Sequence, residues 1–484
     1  MKSPARFLTS CLLSGVALLG LTAATGAALG AERPNFVVIF TDDQGYGDVG
    51  CFGAEGFQTP NLDRMADEGM KFTDFYVGCP VCSGSRTALM TGCLYQRVNM
   101  GAVLFPGSKI GLNPDEITVA EVLRPQGYAT ACIGKWHLGH LPKFLPTRQG
   151  FDYYYGIPYS NDMTIDPAAR LAEDIVLREG MTVDRIRNEK PIRHVVPLMR
   201  GEEVIEYPAD QSTLTKRYTE ETIKFIREHR KGPFFVYLPH TMCHVPLAAS
   251  KEFRGRSKAG LFGDVIEELD WSVGEILKAL KDLELDEKTL VIFTTDNGAA
   301  SGSSRPLRAK KGSLYDGGIR VPCIMRWPGK IPAGKVCSEV AATIDVLPTL
   351  AQLAGAKVPG DRVIDGRDIY PLMQGTAGAT SPHEAYFVAH GGRIVARSGK
   401  WKFYPYPEGA DRRRPKGKAK EKPPAPKPPK GPPVQLYDVS ADIGETKNVA
   451  EQNPQVVERM QKLIADLKED LRKNSRPVGR ADEE

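Results

Sequence analysis

The 484-residue chain predicts an α/β protein: a large, mostly parallel sheet covered by helices on both faces, then a smaller C-terminal α+β subdomain with an antiparallel sheet and a last helix. Three observations predict it. Unbroken runs of β-branched and aromatic residues are separated by helical patterns, as strands buried on both faces require. Several of these runs end in polar residues, and in such sheets ligands bind beyond the carboxyl ends of the strands. After Gly375 the runs become short and closely spaced, the pattern of an antiparallel sheet.

Residues 1–30 carry Lys2 and Arg6, then an apolar, small-residue run over 12–29 that closes on Ala-Leu-Gly before Ala31. That is the pattern of a cleaved secretory signal peptide, so the protein is expected to be exported, to the periplasm or the extracellular space. No other stretch is long and apolar enough to be a transmembrane segment. The main domain, 31–375, opens with a strand over 35–40 that runs into Thr41-Asp42-Asp43. Thr59-Pro60 starts a helix with Leu62, Met65 and Ala66 at helical spacing. Cys82 begins another, in which first-turn serines offer capping oxygens and Ala88-Leu89 begin a buried face. A strand over 129–133 leads to Gly134-Lys135-Trp136-His137, one over 234–238 to His240 and His244, and one over 290–293 to Thr295-Asp296-Asn297-Gly298. Residues 212–229 and 264–283 read as amphipathic helices between them. In the subdomain, 376–484, strands are expected over 384–388, 393–397, 400–404 and 435–439, and Asn453-Pro454 opens a helix with Val457, Met460, Ile464, Leu467 and Leu471 on one face.

Charge and cysteine usage narrow the function. The formal net charge is +5, but residues 411–433 alone hold nine Lys/Arg against two acids. The basic character belongs to that insertion, at about 408–433, and not to the body of the chain, which argues against nucleic acid as a partner. The insertion carries eight prolines from Pro415 on and reads as a solvated loop. It is either a tolerated insertion or a contact to an anionic polymer or membrane surface. Nine cysteines follow no repeating ligand spacing, so zinc is not expected, and any disulfide pairing stays open.

Two groups of residues carry chemistry. Asp42, Asp43, Asp296 and Asn297 offer only oxygen ligands, and three converging carboxylates call for a hard divalent cation. The set favours Ca²⁺, with Mg²⁺ second. The run Cys82-Ser83-Gly84-Ser85-Arg86 places a thiol at a helix start, where unpaired N–H groups attract anions, and Arg86 adds a fork suited to a tetrahedral oxyanion. It reads as a nucleophile beside an anion cradle. Cys79-Pro80-Val81-Cys82 is also a C-x-x-C, open to a disulfide, a redox pair or half a metal site.

The run C-S-G-S-R-T-A-L-M-T-G resembles the signature C-x-P-S-R-x-x-L-x-T-G of the formylglycine-dependent sulfatases, with Gly84 where the family carries proline. The resemblance spans Pro34 to about Leu471, with motifs in family order, and is close to arylsulfatase A-like members. It implies an alkaline phosphatase-like fold and oxidation of Cys82 to formylglycine by a formylglycine-generating enzyme. It also implies one calcium held by Asp42, Asp43, Asp296, Asn297 and the modified Cys82. Gly134-Lys135-Trp136-His137-Leu138-Gly139 resembles the second signature, in which Lys135 meets the sulfate and His137 bonds the formylglycine hydroxyls. His244 matches the family's H-x-P histidine, which protonates the leaving alcohol, with His240 in its vicinity. Lys311 matches the lysine of K-G-x-x-x-E/D-G-G-x-R, and Ser160 in Y-S-N-D matches a serine that touches sulfate. With Cys82 and Arg86 these residues imply hydrolysis of sulfate monoesters of a sulfated small molecule or glycan. Two alternatives stay open: a phosphodiesterase or phosphonate-ester hydrolase on the same scaffold, and a non-catalytic sulfated-glycan binder if Gly84 blocks maturation.

Overall fold

The computed structural model describes residues 33–101, 103–409 and 433–481. The signal segment and nearly all of the Lys/Pro-rich insertion lie outside the described residues. All the elements belong to the unit Pro34–Glu484.

Five parallel strands form the middle of the main sheet, in the spatial order Thr289–Thr295, Asn35–Thr41, Phe234–Pro239, Ala129–Lys135 and Tyr153–Ile157. Antiparallel strands flank them: Arg320–Arg326 and then Met70–Tyr76 on one side, Leu198–Arg200 and Glu203–Tyr207 on the other. The central strand explains itself. Phe36, Val38 and Phe40 pack into one core cluster, while Val37 and Ile39 pack into another, and all five are 0% exposed. Both faces of a period-2 strand are thus covered, which is why its sequence is continuously apolar. Burying each such side chain contributes about 1.5–3 kcal/mol. Helices Pro60–Asp67, Leu214–His229 and Gly260–Asp282 supply apolar residues to the second cluster; Cys82–Thr91 and Val346–Ala354 supply them to the first. Thr41 pairs with Thr295, and Phe40 with Pro239, so the strand ends are level and the residues just beyond them meet at one edge.

The helix at Cys82 departs from expectation. All ten of its residues are buried, not one face, and its N-cap, Val81, has no side chain that could cap it. Ser83 Oγ instead accepts from Leu104 N at 3.1 Å. The hydroxyl of Thr59 is likewise spent on Gly50 N and Asp63, and the amide of Asn453 on the Val449 carbonyl, so neither caps its helix.

The C-terminal sheet is antiparallel, in the order Tyr386–His390, Arg393–Ser398, Trp401–Tyr404, Gln435–Asp438. Its first hairpin turns on Gly391 and Gly392, at φ 58° and 77°, left-handed values that favour glycine. Helix Pro454–Asn474 lays Met460 and Ile464 against Ala396, Phe403 and Leu436. Charged side chains tie this sheet to the main one: Lys402 Nζ lies 2.5 Å from Asp316 Oδ1, and Arg397 and Arg320 share Asp74 at 3.1 and 2.8 Å.

Candidate active site

Strand ends and one helix start build the site. Asp42 and Asp43 follow the central strand, Asp296 and Asn297 follow Thr289–Thr295, Lys135 ends Ala129–Lys135, and Cys82 opens its helix. Asp43 and His137 adopt left-handed backbone angles, φ 62° and 60°, at a cost of about 1–3 kcal/mol each that surrounding contacts must offset.

The charges interlock. Lys135 Nζ lies 2.5 Å from Asp42 Oδ2, and Arg86 Nη2 lies 2.9 Å from Asp296 Oδ2 and 3.7 Å from Asp42 Oδ1. Lys311 Nζ lies 2.6 Å from Asp43 Oδ1 and 3.6 Å from Cys82 Sγ, and that sulfur is 3.9 Å from Asp42 Oδ1. His244 Nε2 stands 3.7 Å from Asp43 Oδ2, with Ser160 Oγ 3.4 Å from its ring nitrogens. Arg86 also donates to the Lys135 carbonyl at 2.9 Å and sits over the Phe40 ring at 5.5 Å. Sequence reasoning did not single out Phe40, Asp162, whose carboxylate accepts from Ser160 at 2.5 Å, or Leu104, whose carbonyl engages His137 Nε2 at 2.9 Å. Asp162 had a local signal, two residues beyond Ser160. The other two act through a ring face and a backbone oxygen, which no motif encodes.

Burial sets the protonation states. It alone would raise Asp42, but Lys135, His244 and Arg86 hold that carboxyl below the ordinary range. Burial and the neighbouring Asp42 push Asp296 up, and burial pushes the Cys82 thiol up to about 12. An unmodified thiol at that value is a poor nucleophile. Burial and the Lys135 charge drive His137 well below its usual value, so its ring is neutral. With Nε2 bonded to the Leu104 carbonyl, Nε2 carries the hydrogen, and Nδ1, which has no hydrogen-bond partner, keeps a lone pair.

The donor set suits a hard cation. Ligand atoms of Asp42, Cys82 and Asp296 lie within 4.8 Å of one another, as do those of Asp43, Cys82 and His244. Asn297 Nδ2 donates to Asp43 at 2.7 Å, while Asn297 Oδ1 is buried without a hydrogen-bond partner, an oxygen that a cation would satisfy.

Two ambiguities resolve. His240 bonds Ser272 Oγ at 3.2 Å among buried groups, with burial lowering it to about 3, whereas His244 is the histidine at the cluster. Lys310 reaches the Gly302 carbonyl at 2.5 Å, and Lys311 is the lysine at Cys82. Cys79 and Cys82 are free thiols, as is every cysteine among the described residues.

Comparison with known proteins identifies the family. The sulfatase family model matches residues 34–356. Human arylsulfatase A is 39% identical over 474 residues, covering 92% of this chain and 89% of its own length. N-acetylgalactosamine-6-sulfatase of Canis lupus familiaris is 41% identical over 376 residues, 74% of this chain and 69% of its own. The crystal structure of Ps i-CgsB in complex with k-i-k-neocarrahexaose superposes with a TM-score of 0.74 at 28% identity, over 90% of this chain and 93% of that one. Acidic strand ends, a helix-borne cysteine and interlocked cations thus sit in a chain that belongs to the sulfatase family, the sulfuric ester hydrolases.

Proposed function

We propose that the protein is an exported sulfatase that hydrolyses sulfate monoesters of a sulfated carbohydrate or an aryl alcohol, through formylglycine made from Cys82 and with one calcium ion at the carboxylate cluster. The observation that carries this reading is the packing of Arg86, Lys135 and Lys311 with three carboxylates around Cys82. The names of its relatives and the neocarrahexaose bound to Ps i-CgsB support a sulfate ester on a saccharide. Asp42, Asp43, Asp296 and Asn297 would hold the ion together with the modified residue 82. The ion would screen the carboxylates and polarise the sulfuryl oxygens, and the formylglycine hydrate would supply the hydroxyl that attacks sulfur.

The remaining work falls to the chain's own side chains. Arg86, Lys135 and Lys311 bind the sulfuryl oxygens, where positive charge stabilises the transition state most. Asp296 takes the proton of the attacking hydroxyl. His244 gives a proton to the departing alcohol from Nε2, while Nδ1 is anchored to the Val245 carbonyl at 2.7 Å and Ser160 steadies the ring. His137 accepts a hydroxyl hydrogen at Nδ1, the nitrogen its bond to Leu104 leaves open. Conversion of Cys82 falls to a formylglycine-generating enzyme met during export. The main domain, 31–375, performs the chemistry, and the subdomain, 376–484, braces the Lys311 loop through the Lys402–Asp316 pair.

Sulfate release from 4-nitrophenyl sulfate and from sulfated monosaccharides, beside hydrolysis of an aryl phosphodiester, tests the reading. Sulfate esters are expected to be preferred, and Arg86→Ala or Lys135→Ala to lower kcat by about a hundredfold or more. Preference for the phosphodiester, or near-normal rates in either variant, contradicts it.

A further inference from the structure

We propose that Phe105 and Val245 are the walls of the leaving-group subsite, which takes a sulfate ester whose alcohol presents a flat apolar face, an aromatic or a pyranose ring. This rests on the sulfatase reading above. Phe105 is 58% exposed, the one aromatic among the exposed large apolar side chains of the described residues, and Val245 is 44% exposed. The main chain that carries this exposed ring is pinned on both sides of it. Leu104 N donates to Ser83 Oγ, one residue from Cys82, and the Leu104 carbonyl engages His137. Phe105 N donates to Ser108 Oγ at 2.9 Å while Ser108 N donates to the Phe105 carbonyl at 2.8 Å, closing a tight turn. Tyr159, next to Ser160, donates its hydroxyl to the Pro106 carbonyl at 3.3 Å.

The main chain around Val245 is pinned by the segment that follows Tyr159. The Val245 carbonyl engages His244 Nδ1, and Asn161 Nδ2 donates to the carbonyls on either side, of His244 and Pro246, at 3.0 and 3.1 Å. Val245 thus follows His244 of the charged cluster, and Phe105 follows Leu104, which is bonded to His137 and to the neighbour of Cys82. A cavity of about 500 Å³ lined by Pro106, Lys109, His140, Thr164 and Asp166 begins one residue beyond Phe105. An aromatic partner gives a ring face an attraction beyond the apolar area it buries.

Steady-state kinetics of wild type, Phe105→Ala and Phe105→Tyr on 4-nitrophenyl sulfate and N-acetylgalactosamine 6-sulfate, with inorganic sulfate as competitor and with equilibrium binding of both esters, test this. Phe105→Ala is expected to raise KM about tenfold with kcat nearly unchanged, the scale of one lost ring contact, and Phe105→Tyr to restore it. Inhibition by sulfate should not move, since sulfate lacks the ring. A rise with only one ester identifies which ring the subsite takes. Unchanged KM, or a KM rise matched by weaker sulfate inhibition, overturns the subsite. If wild type releases no sulfate, the sulfatase reading fails by itself. In that case weaker binding of either ester to Phe105→Ala would still uphold the subsite, and equal binding would remove it.

Discussion

At Gly84 an added β-carbon would lie 2.8 Å from Cys79 Sγ and 3.0 Å from its Cβ. The position is in the first turn of its helix, where a proline is tolerated by the backbone, so it is the Cys79 side chain that occupies the space a proline ring would need. The departure from the family signature and the C-x-x-C motif are one packing arrangement. Gly84→Pro should therefore destabilise the fold by about 1–3 kcal/mol, as overpacking does, and Cys79→Ala in the same chain, which removes the sulfur but keeps the β-carbon, should recover part of it. Thermal unfolding of the two variants checks this, and equal melting points would show that Cys79 is not the obstacle. Neither fact was legible in the sequence, where Gly84 is a mismatch and Cys79 a redox candidate. Both arise from a contact across a turn.

Among the elements, the C-terminal sheet matters because of where it grips. Lys402 and Arg320 face Asp316, whose backbone N–H donates to Glu445 Oε2 at 2.8 Å, and the Tyr404 hydroxyl donates to the other oxygen of Glu445. Burial and the nearby Asp316 raise Glu445 from 4.5 to about 7. A raised carboxyl binds its proton more tightly in the folded chain. Its contribution to stability is therefore full below pH 4.5 and is lost as pH rises to about 7. Asp48 and Asp270, each raised to about 6 by burial, act in the same window, so the difference between wild type and Glu445→Gln isolates this group. The wild-type melting point should fall by a few degrees relative to Glu445→Gln between pH 5 and 8, and parallel curves would refute the linkage. The strands and last helix of this subdomain were legible from periodicity. Its charged seam was not, because Lys402 and Glu445 lie far from Asp316 in sequence and read as surface residues until the chain folds.

For the whole molecule, the sequence made the parallel sheet and its chemistry legible for the same reason: strands buried on both faces are apolar throughout, so acids, lysines and histidines at their ends stand out. Level registers then gather Asp42, Lys135, His244 and Asp296 at one edge. The flanking antiparallel strands, such as Glu203–Tyr207, had weaker signals because one or both faces are only partly covered. A site with three converging carboxylates should also depend on its cation for stability. Chelation is expected to cost about 3 kcal/mol relative to calcium at a hundredfold excess over its dissociation constant, read as a fall in melting point that added calcium reverses. No response to chelator would remove the metal from the account. If Cys82 becomes the group that attacks sulfur, the change is written in the mass of the peptide bearing residue 82, taken from protein exported alongside a formylglycine-generating enzyme. That peptide is expected to be lighter than the cysteine form, its thiol sulfur replaced by an aldehyde oxygen. An unmodified cysteine in protein that still releases sulfate from its esters would contradict it.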